Sequence, residues 1–272
     1  MNAETALYLP IILYLIATLF YLIYLAGRKD LFEKIGYYAL ASACLTHLGA
    51  TLFRYVEAGY TPITNLHESL SFFSLSIVGI YLVFERRYRV FILGSFVTPV
   101  ALLVMLTATG FPSAIAPLNP ALKSKWLAVH TTMAFFGYAA FAVAFGAAIM
   151  YLIQEHFLKN KKLGPLYQKL PSLDVLDEIN YRCLTIGFPL LTFAIITGAI
   201  WAESAWGTYW SWDPKETWSL ITWFVYAALL HGRLTTGWRG KQAAILAIIG
   251  FFVLLFTFLG VNLFLPGLHS YK

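Results

Sequence analysis

The chain has 272 residues, of which 60% are hydrophobic and only 12% are charged, and its mean hydropathy is +0.71. Soluble domains are about half apolar and about a quarter charged, so this composition excludes an ordinary soluble domain and indicates an integral membrane protein. The net charge of +6 therefore bears first on membrane topology, and we expect no nucleic-acid partner. Cys44 and Cys183 form no CxxC or CxxCH motif, so we expect two small buried residues rather than a redox site.

Eight apolar segments are long enough to cross a bilayer core, which needs about 20 residues. They cover roughly residues 6–27, 35–54, 67–84, 90–109, 126–154, 181–202, 215–233 and 241–264. The longest polar insertion, about 155–180, joins the fifth segment to the sixth. The pattern predicts an all-α fold, a polytopic membrane helix bundle that forms a single domain over residues 1–272. The start, MNAETALYLP, lacks the basic region of a signal peptide, so we expect the first segment to be retained.

The lysines and arginines are concentrated in alternate loops, which predicts the orientation of the bundle. The basic loops lie at residues 28–34, 86–89, 159–182 and 233–241. Cytoplasmic loops of membrane proteins carry an excess of Lys and Arg. We therefore expect these loops in the cytoplasm, and both termini and residues 201–218 on the outer side.

Residues 201–218, WAESAWGTYWSWDPKETW, form a tryptophan loop that carries five of the eight tryptophans of the chain. They are Trp201, Trp206, Trp210, Trp212 and Trp218. Indole rings stack on flat apolar partners, so a loop with this content predicts a platform for a large planar ligand such as porphyrin. The alternative is an interfacial aromatic belt, although a belt is usually spread over many helix ends.

The end of this loop has the pattern of a helix start. Asp213 is a good N-cap, Pro214 suits the first helical position, and Glu216 three residues after the cap completes a capping box. This local role is the better explanation of Asp213 and Glu216 taken individually. Lys215 could pair with a ligand carboxylate, but the sequence favours an exposed lysine at a helix end.

Three histidines are candidate ligands, because ionisable residues in membrane spans are rare and are commonly functional. His130, near the outer end of the fifth segment, and His269, in the C-terminal tail, can both reach the tryptophan loop. His231 follows Pro214 by 17 residues, which is roughly 25 Å of helix, too deep to share an iron with that pair. It is either a ligand at a second site or a helix-end histidine that interacts with the helix dipole.

The other three histidines have simpler interpretations. His47 could be a ligand or form hydrogen bonds between helices, and we favour the hydrogen bonds. We expect His67 to belong to the entrance of the third segment. His156 lies beside a basic loop, where we expect it to be solvated.

The segment WGTYWSWDPKETWSLITWFVYAALLH resembles the signature WWD segment of the CcsA/ResC cytochrome c assembly proteins of the system II pathway. His130 before it, His231 at the end of the following span and His269 near the C-terminus match the histidine pattern of that family. Residues 54–70, RYVEAGYTPITNLHESL, resemble its second outer loop. The likeness covers most of the chain, although His67 stands where many relatives have tyrosine.

The resemblance implies a haem-handling protein of the bacterial cytoplasmic membrane or the plastid thylakoid membrane that works with a CcsB/ResB partner. Haem, of the b-type, would enter a membrane site at His231, with the second ligand from the partner, and reach the WWD site with His130 and His269 as axial ligands. Trp201, Trp206, Trp210, Trp212, Asp213 and Trp218 would form the rest of that site. The complex, a cytochrome c synthase, would join haem vinyl groups to the thiols of an apocytochrome c CxxCH motif, with a thiol reductant pathway as a further partner.

Other classes compete with this interpretation. A system I haem-delivery protein of the CcmC or CcmF type would share the WWD loop, although the WDPKETW continuation and the eight segments favour CcsA. A transporter would be expected to carry inverted repeats or broken helices, and neither is evident. A membrane electron-transfer cytochrome would need histidine pairs at matched depth on two helices.

Overall fold

The computed structural model describes residues 3–27, 29–115, 118, 120–162 and 164–267, and in this part of the chain the regular structure is entirely helical. Within these described ranges, eight long helices form the bundle, with short helical turns at Ala3–Ala6, Phe91–Leu93, Pro120–Lys123 and Pro165–Lys169. The eight are α1 Tyr8–Gly27, α2 Asp30–Ala58, α3 Leu66–Tyr88, α4 Gly94–Thr109, α5 Lys125–Lys159, α6 Leu173–Trp206, α7 Pro214–Thr235 and α8 Lys241–Leu255. A π-helical turn, Phe256–Gly260, and a short helix, Val261–Phe264, continue α8.

The chain is an integral membrane protein with a polytopic all-α fold, as the composition predicts. Six helical stretches among the described residues are long and apolar enough to cross a membrane: Glu4–Gly27, Leu66–Tyr88, Phe91–Thr109, Lys125–Lys159, Leu173–Trp206 and Lys241–Phe264. The helices α2 and α7 contain 29 and 22 residues, which also exceeds the length of about 20 residues that a span requires. The count of eight spans and the outer location of both termini stay predictions.

The polar insertion expected at 155–180 is mostly helical. Helix α5 continues to Lys159, and α6 begins at Leu173, where the Ser172 side chain accepts a hydrogen bond from the Val175 amide. A helix can continue beyond the bilayer, and its projecting end can carry polar residues. Polarity alone therefore did not mark the helix boundary.

Helices α5 and α6 form the centre of the bundle because small residues let their backbones approach closely. A Cβ atom on Gly137 would lie 3.1 Å from the Gly187 carbonyl oxygen and 3.2 Å from the Leu191 nitrogen. Such small-residue contacts are typical of helix pairs in membranes, where burial of apolar surface does not drive association. The close approach fixes the distance between the two helices that supply most of the candidate site.

Polar contacts tie the helices together at the end of the bundle away from the candidate site. Arg233, near the end of α7, donates two hydrogen bonds to the carboxylate of Asp177 on α6, at 2.9 and 2.8 Å. The Gly240 amide donates to the same carboxylate at 2.9 Å. Lys169 donates to the carbonyl oxygens of Leu25 and Ala26 at the end of α1.

Candidate functional site

A cavity of about 500 Å³ opens at the end of the bundle that carries the α2–α3, α4–α5 and α6–α7 connections. Its size is in the range of pockets for small molecules and cofactors, about 300–1,000 Å³. The walls include Ile63, Thr64, His130, Ala194, Gly198, Trp201, Trp206, Tyr209, Trp210, Lys215, Glu216, Thr257 and Phe258. Residues from five separate parts of the sequence thus meet around one space.

His130 lies on α5, and two residues of α6 fix its ring. Its Nδ1 atom donates a hydrogen bond to the Ala194 carbonyl oxygen at 2.6 Å. The ring lies so close to Gly198 that a Cβ atom there would be 2.7 Å from both Cε1 and Nδ1. A hydrogen bond of this kind selects the tautomer with the proton on Nδ1, which gives Nε2 the lone pair that a metal ligand needs.

Three tryptophans of the tryptophan loop line the cavity. Trp201 and Trp206 form an edge-to-face pair with ring centroids 4.8 Å apart, and Trp210 follows on the connection to α7. Gly207 ends α6 with φ +79°, a left-handed conformation that glycine adopts without strain. This turn directs the chain back across the cavity, so the concentration of tryptophans produces an aromatic wall.

The other two tryptophans of the loop do not line the cavity. Trp218 packs on Phe256, with ring centroids 4.4 Å apart. Trp212 is 68% exposed and contacts Trp210 edge to face at 5.8 Å. Its φ of +58° is uncommon for a bulky residue, and such conformations cost about 1–3 kcal/mol.

The predicted capping box at the start of α7 is present. Asp213 accepts a hydrogen bond from the Lys215 amide at 3.1 Å, and Glu216 Oε2 accepts one from the Asp213 amide at 3.2 Å. Glu216 Oε2 also accepts a bond from the Ser211 amide at 2.8 Å. Its other oxygen, Oε1, is buried and has no hydrogen-bond partner among the described residues.

Lys215 differs from the exposed helix-end lysine that the sequence favours. It lines the cavity, its Nζ atom donates to Asn262 Oδ1 at 3.3 Å, and its ammonium group lies 5.8 Å from the centroid of the Phe258 ring. The helix start turns this side chain inward, where a cation can pair with a carboxylate of a bound molecule.

The α2–α3 connection forms a further wall of the cavity. A buried ion pair, which was not among the predicted site residues, holds this connection in place. Arg54 is buried and donates to Glu68 Oε1 at 2.7 Å and to the Ser113 carbonyl oxygen at 2.7 Å. Glu68 Oε2 accepts bonds from the amide and the hydroxyl of Thr64, both at 2.9 Å. The pair holds Ile63 and Thr64 at the cavity. In the sequence, only the spacing of Asn65 and Glu68 pointed to this region, because a cap residue followed three positions later by an acidic residue marks a helix start.

The π-helical turn after α8 supplies the inner part of the cavity. Thr257 and Phe258 lie in this turn and line the space, and Phe258 packs edge to face on Phe135 at 5.3 Å. Single π-helical turns often occur at functional sites, because the additional residue re-aims the side chains of one turn. Nothing in the apolar sequence of this segment marks the position of such a turn.

His269 lies outside the described residues, but the chain that leads to it approaches the tryptophan loop. A Cβ atom on Gly267 would overlap the carboxylate of Asp213, so the backbone at position 267 lies directly against the start of α7. Gly267, two residues before His269, therefore lies beside the start of α7.

His231 lies away from the cavity, on an exposed face of α7. Ile221, Phe224 and Leu234 lie on the same face of the helix as His231 and are also exposed. This face is therefore mostly apolar. A polar ring among exposed apolar side chains is unusual in a membrane protein, because polar residues of membrane spans normally face the bundle interior.

The remaining histidines agree with their predicted roles. His47 is fully buried between helices and forms hydrogen bonds with Tyr14 at 2.9 Å and Ser71 at 2.8 Å. His67, in the first turn of α3, donates from Nδ1 to the Ala108 carbonyl oxygen at 2.9 Å. His156, near the end of α5, is exposed and contacts the Asn160 side chain. Cys183 is buried and Cys44 is half-buried, and both are free thiols.

Comparisons with known proteins agree on one family. The profile described as "Cytochrome C assembly protein" matches residues 63–269. "Cytochrome c biogenesis protein CcsA" of Guillardia theta is 41% identical, over 87% of this chain and 85% of that protein. The protein of the same name from Microcystis aeruginosa is 42% identical, over 86% of this chain and 85% of that protein.

A solved structure has the same fold. It is titled "Cytochrome c Heme Lyase CcmF", and the match has a TM-score of 0.65 and 19% sequence identity. The match covers 96% of this chain and 49% of that chain. At this identity the likeness concerns the arrangement of helices alone.

Proposed function

Since the chain belongs to the cytochrome c assembly protein family, and within it to the CcsA proteins, we propose that its cavity holds haem for attachment to an apocytochrome c. Cytochrome c assembly is the function that the family establishes for the chain. The proposal adds the site, the ligands of the iron and the route by which haem reaches them. In this scheme haem is the substrate, handled as b-type haem until it is attached.

The observation that carries the proposal is the fixed ring of His130 on the wall of the cavity. The Ala194 carbonyl oxygen and Gly198, one turn apart on α6, both contact the ring at Nδ1. A histidine ligand of a metal commonly donates its other ring N–H to a backbone carbonyl, which sets the tautomer and raises the basicity of the ligand. His130 therefore has the environment of an axial ligand before haem arrives.

The other walls suit a porphyrin. Trp201, Trp206 and Trp210 offer apolar ring surfaces for a planar macrocycle. Lys215 offers a cation for a propionate carboxylate at the same cavity. An apolar pocket with a few polar groups is typical of a cofactor or ligand site.

We assign the second axial position to His269, because Gly267, two residues before it, lies against Asp213 at the start of α7. A ligand on a C-terminal tail can leave more easily than one on a packed helix. The histidine of the apocytochrome CxxCH motif would take its place, while the reduced iron and the vinyl groups of haem supply the chemistry of thioether formation. The protein holds and orients the two reactants.

His231 would serve an earlier haem site at the interface with a CcsB/ResB-type partner. Its exposure on an apolar face of α7 supports a ligand that is completed by another subunit. Haem would enter there from the cytoplasm and move to the cavity, which we place on the outer side of the membrane because of the distribution of Lys and Arg. A thiol reductant pathway would keep the apocytochrome cysteines reduced.

The test is the absorption spectrum of the chain purified with its membrane partner. We expect a Soret band, and a large loss of its cavity component in His130→Ala. His156→Ala is the matched control, because this histidine is exposed near the other end of α5, and the spectrum of this variant should be unchanged. A complex without any haem, or a His130→Ala complex with an unaltered spectrum and full cytochrome maturation, would exclude the proposal.

A system I role is the second candidate, because the chain shares its fold with "Cytochrome c Heme Lyase CcmF". The membrane protein that copurifies with the chain separates the two: a large ResB-like subunit supports system II, whereas system I components would support the alternative.

A further inference from the structure

Trp212 combines a largely exposed ring with a left-handed backbone. The side chain is 68% exposed, and φ is +58°. A bulky residue in this region is strained, and an exposed ring gains little from burial within the chain. Strained residues persist where the surrounding structure enforces them, and they occur preferentially at functional sites.

The enforcing group is the carboxylate of Glu216. Its Oε2 atom accepts hydrogen bonds from the amides of Ser211 and Asp213, at 2.8 and 3.2 Å, and these are the two residues that flank Trp212. The Trp212 carbonyl oxygen accepts a further bond from the Thr217 hydroxyl at 3.3 Å. The turn is therefore fixed on both sides of Trp212, with its ring directed outward.

The ring is continuous with the rim of the cavity. It contacts Trp210 edge to face at 5.8 Å, with an interplanar angle of 89°, and Trp210 lines the cavity. Tyr209, 62% exposed, also lines it. A molecule that lies across Trp212 thus has direct access to the space beside His130.

We propose that Trp212 is a docking residue for the polypeptide that receives haem. An extended segment with two thiols and an imidazole lies over the indole ring, so that the thiols face the cavity. This inference rests on the proposed function, because only a haem acceptor needs to reach both the exposed ring and the cavity. Rigid aromatic residues supply a large contact area at low entropic cost, and they dominate the binding energy of many interfaces.

The competing occupant is the headgroup layer of the bilayer, in which exposed tryptophans commonly anchor membrane proteins. The two occupants make different predictions. A peptide-docking residue affects the affinity for the acceptor peptide, whereas an anchor affects the stability of the protein in a bilayer. The position of Trp212 beside the cavity favours the peptide.

The experiment measures binding of a fluorescein-labelled peptide with a Cys-Xaa-Xaa-Cys-His motif, kept reduced, to the full chain with its membrane partner in nanodiscs. Trp212→Gly removes the ring and suits a left-handed backbone, whereas Trp212→Phe keeps an aromatic ring. Tyr55→Ala is the matched control, because Tyr55 is an exposed aromatic residue near the same end of the bundle and does not line the cavity. If Trp212→Gly does not assemble, Trp212→Asn replaces it, because Asn also tolerates this region.

We expect Trp212→Gly to weaken peptide binding by about tenfold or more, and Trp212→Phe and Tyr55→Ala by less than about threefold. The Soret band of Trp212→Gly should equal that of the wild type, and its unfolding temperature should be equal or higher because the strain is removed. A peptide affinity of Trp212→Gly within twofold of the wild type would overturn the proposal. So would loss of the Soret band, which would place Trp212 in the haem site, or reduced bilayer stability with unchanged peptide affinity, which would identify an anchor.

The docking role of Trp212 and the haem site at His130 can fail independently of each other. If the wild-type complex lacks a Soret band but binds the peptide through Trp212, the haem assignment fails and the docking residue stands. If His130→Ala loses its Soret component and Trp212→Gly binds the peptide normally, the haem site stands and the docking residue fails.

Discussion

His130 fits against α6 because residue 198 is glycine. A Cβ atom at this position would lie 2.7 Å from two atoms of the imidazole ring, far inside van der Waals contact. The hydrogen bond from Nδ1 to Ala194, one helical turn before Gly198, depends on the same close approach. Glycine on α6 thus determines the orientation of a side chain on α5.

Gly198→Ala should therefore displace the His130 ring and break its bond to Ala194. Loss of the outer hydrogen bond of a histidine ligand typically costs about 10- to 100-fold in metal affinity, and we expect a decrease of this size in haem affinity, measured by titration of the Soret band. Gly79→Ala is the control, because a Cβ atom at this position of α3 meets nothing within 4 Å. It should bind haem normally and gain about 0.5–1 kcal/mol in stability. Equal haem affinities of the two variants would contradict the role of Gly198.

Lys215→Met should weaken haem binding through the propionates. A hydrogen bond to a charged group contributes about 1.5–3 kcal/mol, so the loss should be about 10- to 100-fold. The comparison ligand is haem dimethyl ester, which has no free carboxylates and should bind the wild type and Lys215→Met alike. An equal loss for both ligands would mean that Lys215 acts through Asn262 and the packing of the cavity instead.

Arg54→Ala should destabilise the fold and loosen the loop that carries Thr64. Removing one partner of a buried ion pair costs about 3–5 kcal/mol, because the other charge stays buried without compensation. The control is Lys159→Ala, which breaks the exposed pair with Glu155 and should cost at most about 1 kcal/mol. The unfolding temperatures of both variants in the same detergent give the comparison. A similar decrease for the two would show that Glu68 finds another partner.

His231→Ala should remove one haem pool and spare the other. Because His231 is exposed on α7, away from the residues that line the cavity, we expect the complex with its partner to lose about half of its haem, measured by the pyridine haemochrome assay. His130→Ala should spare the pool that His231 holds. If His231→Ala leaves the haem content unchanged, the histidine acts only at the helix end, where it would interact with the dipole.

Local patterns predicted the helices well, because their causes are local. The helix start at Asp213 follows from cap residues within one turn, and each apolar segment corresponds to a helix. The role of Lys215 was not predictable in this way. The direction of its side chain depends on where α7 packs against the turn after α8, and the sequence near Lys215 contains no information on that contact.

The sequence by itself determined that this is a helical membrane protein, which segments form its long helices, and which residue types could hold haem. Composition, hydrophobic length and capping depend on neighbours within a few positions. The tertiary structure decided which of those residues meet: Trp201, Trp206 and Trp210 beside His130, and Trp212 outside on the rim. These outcomes depend on the distances between helices. Packing across the bundle sets those distances, through glycine contacts, a buried ion pair and a π-helical turn.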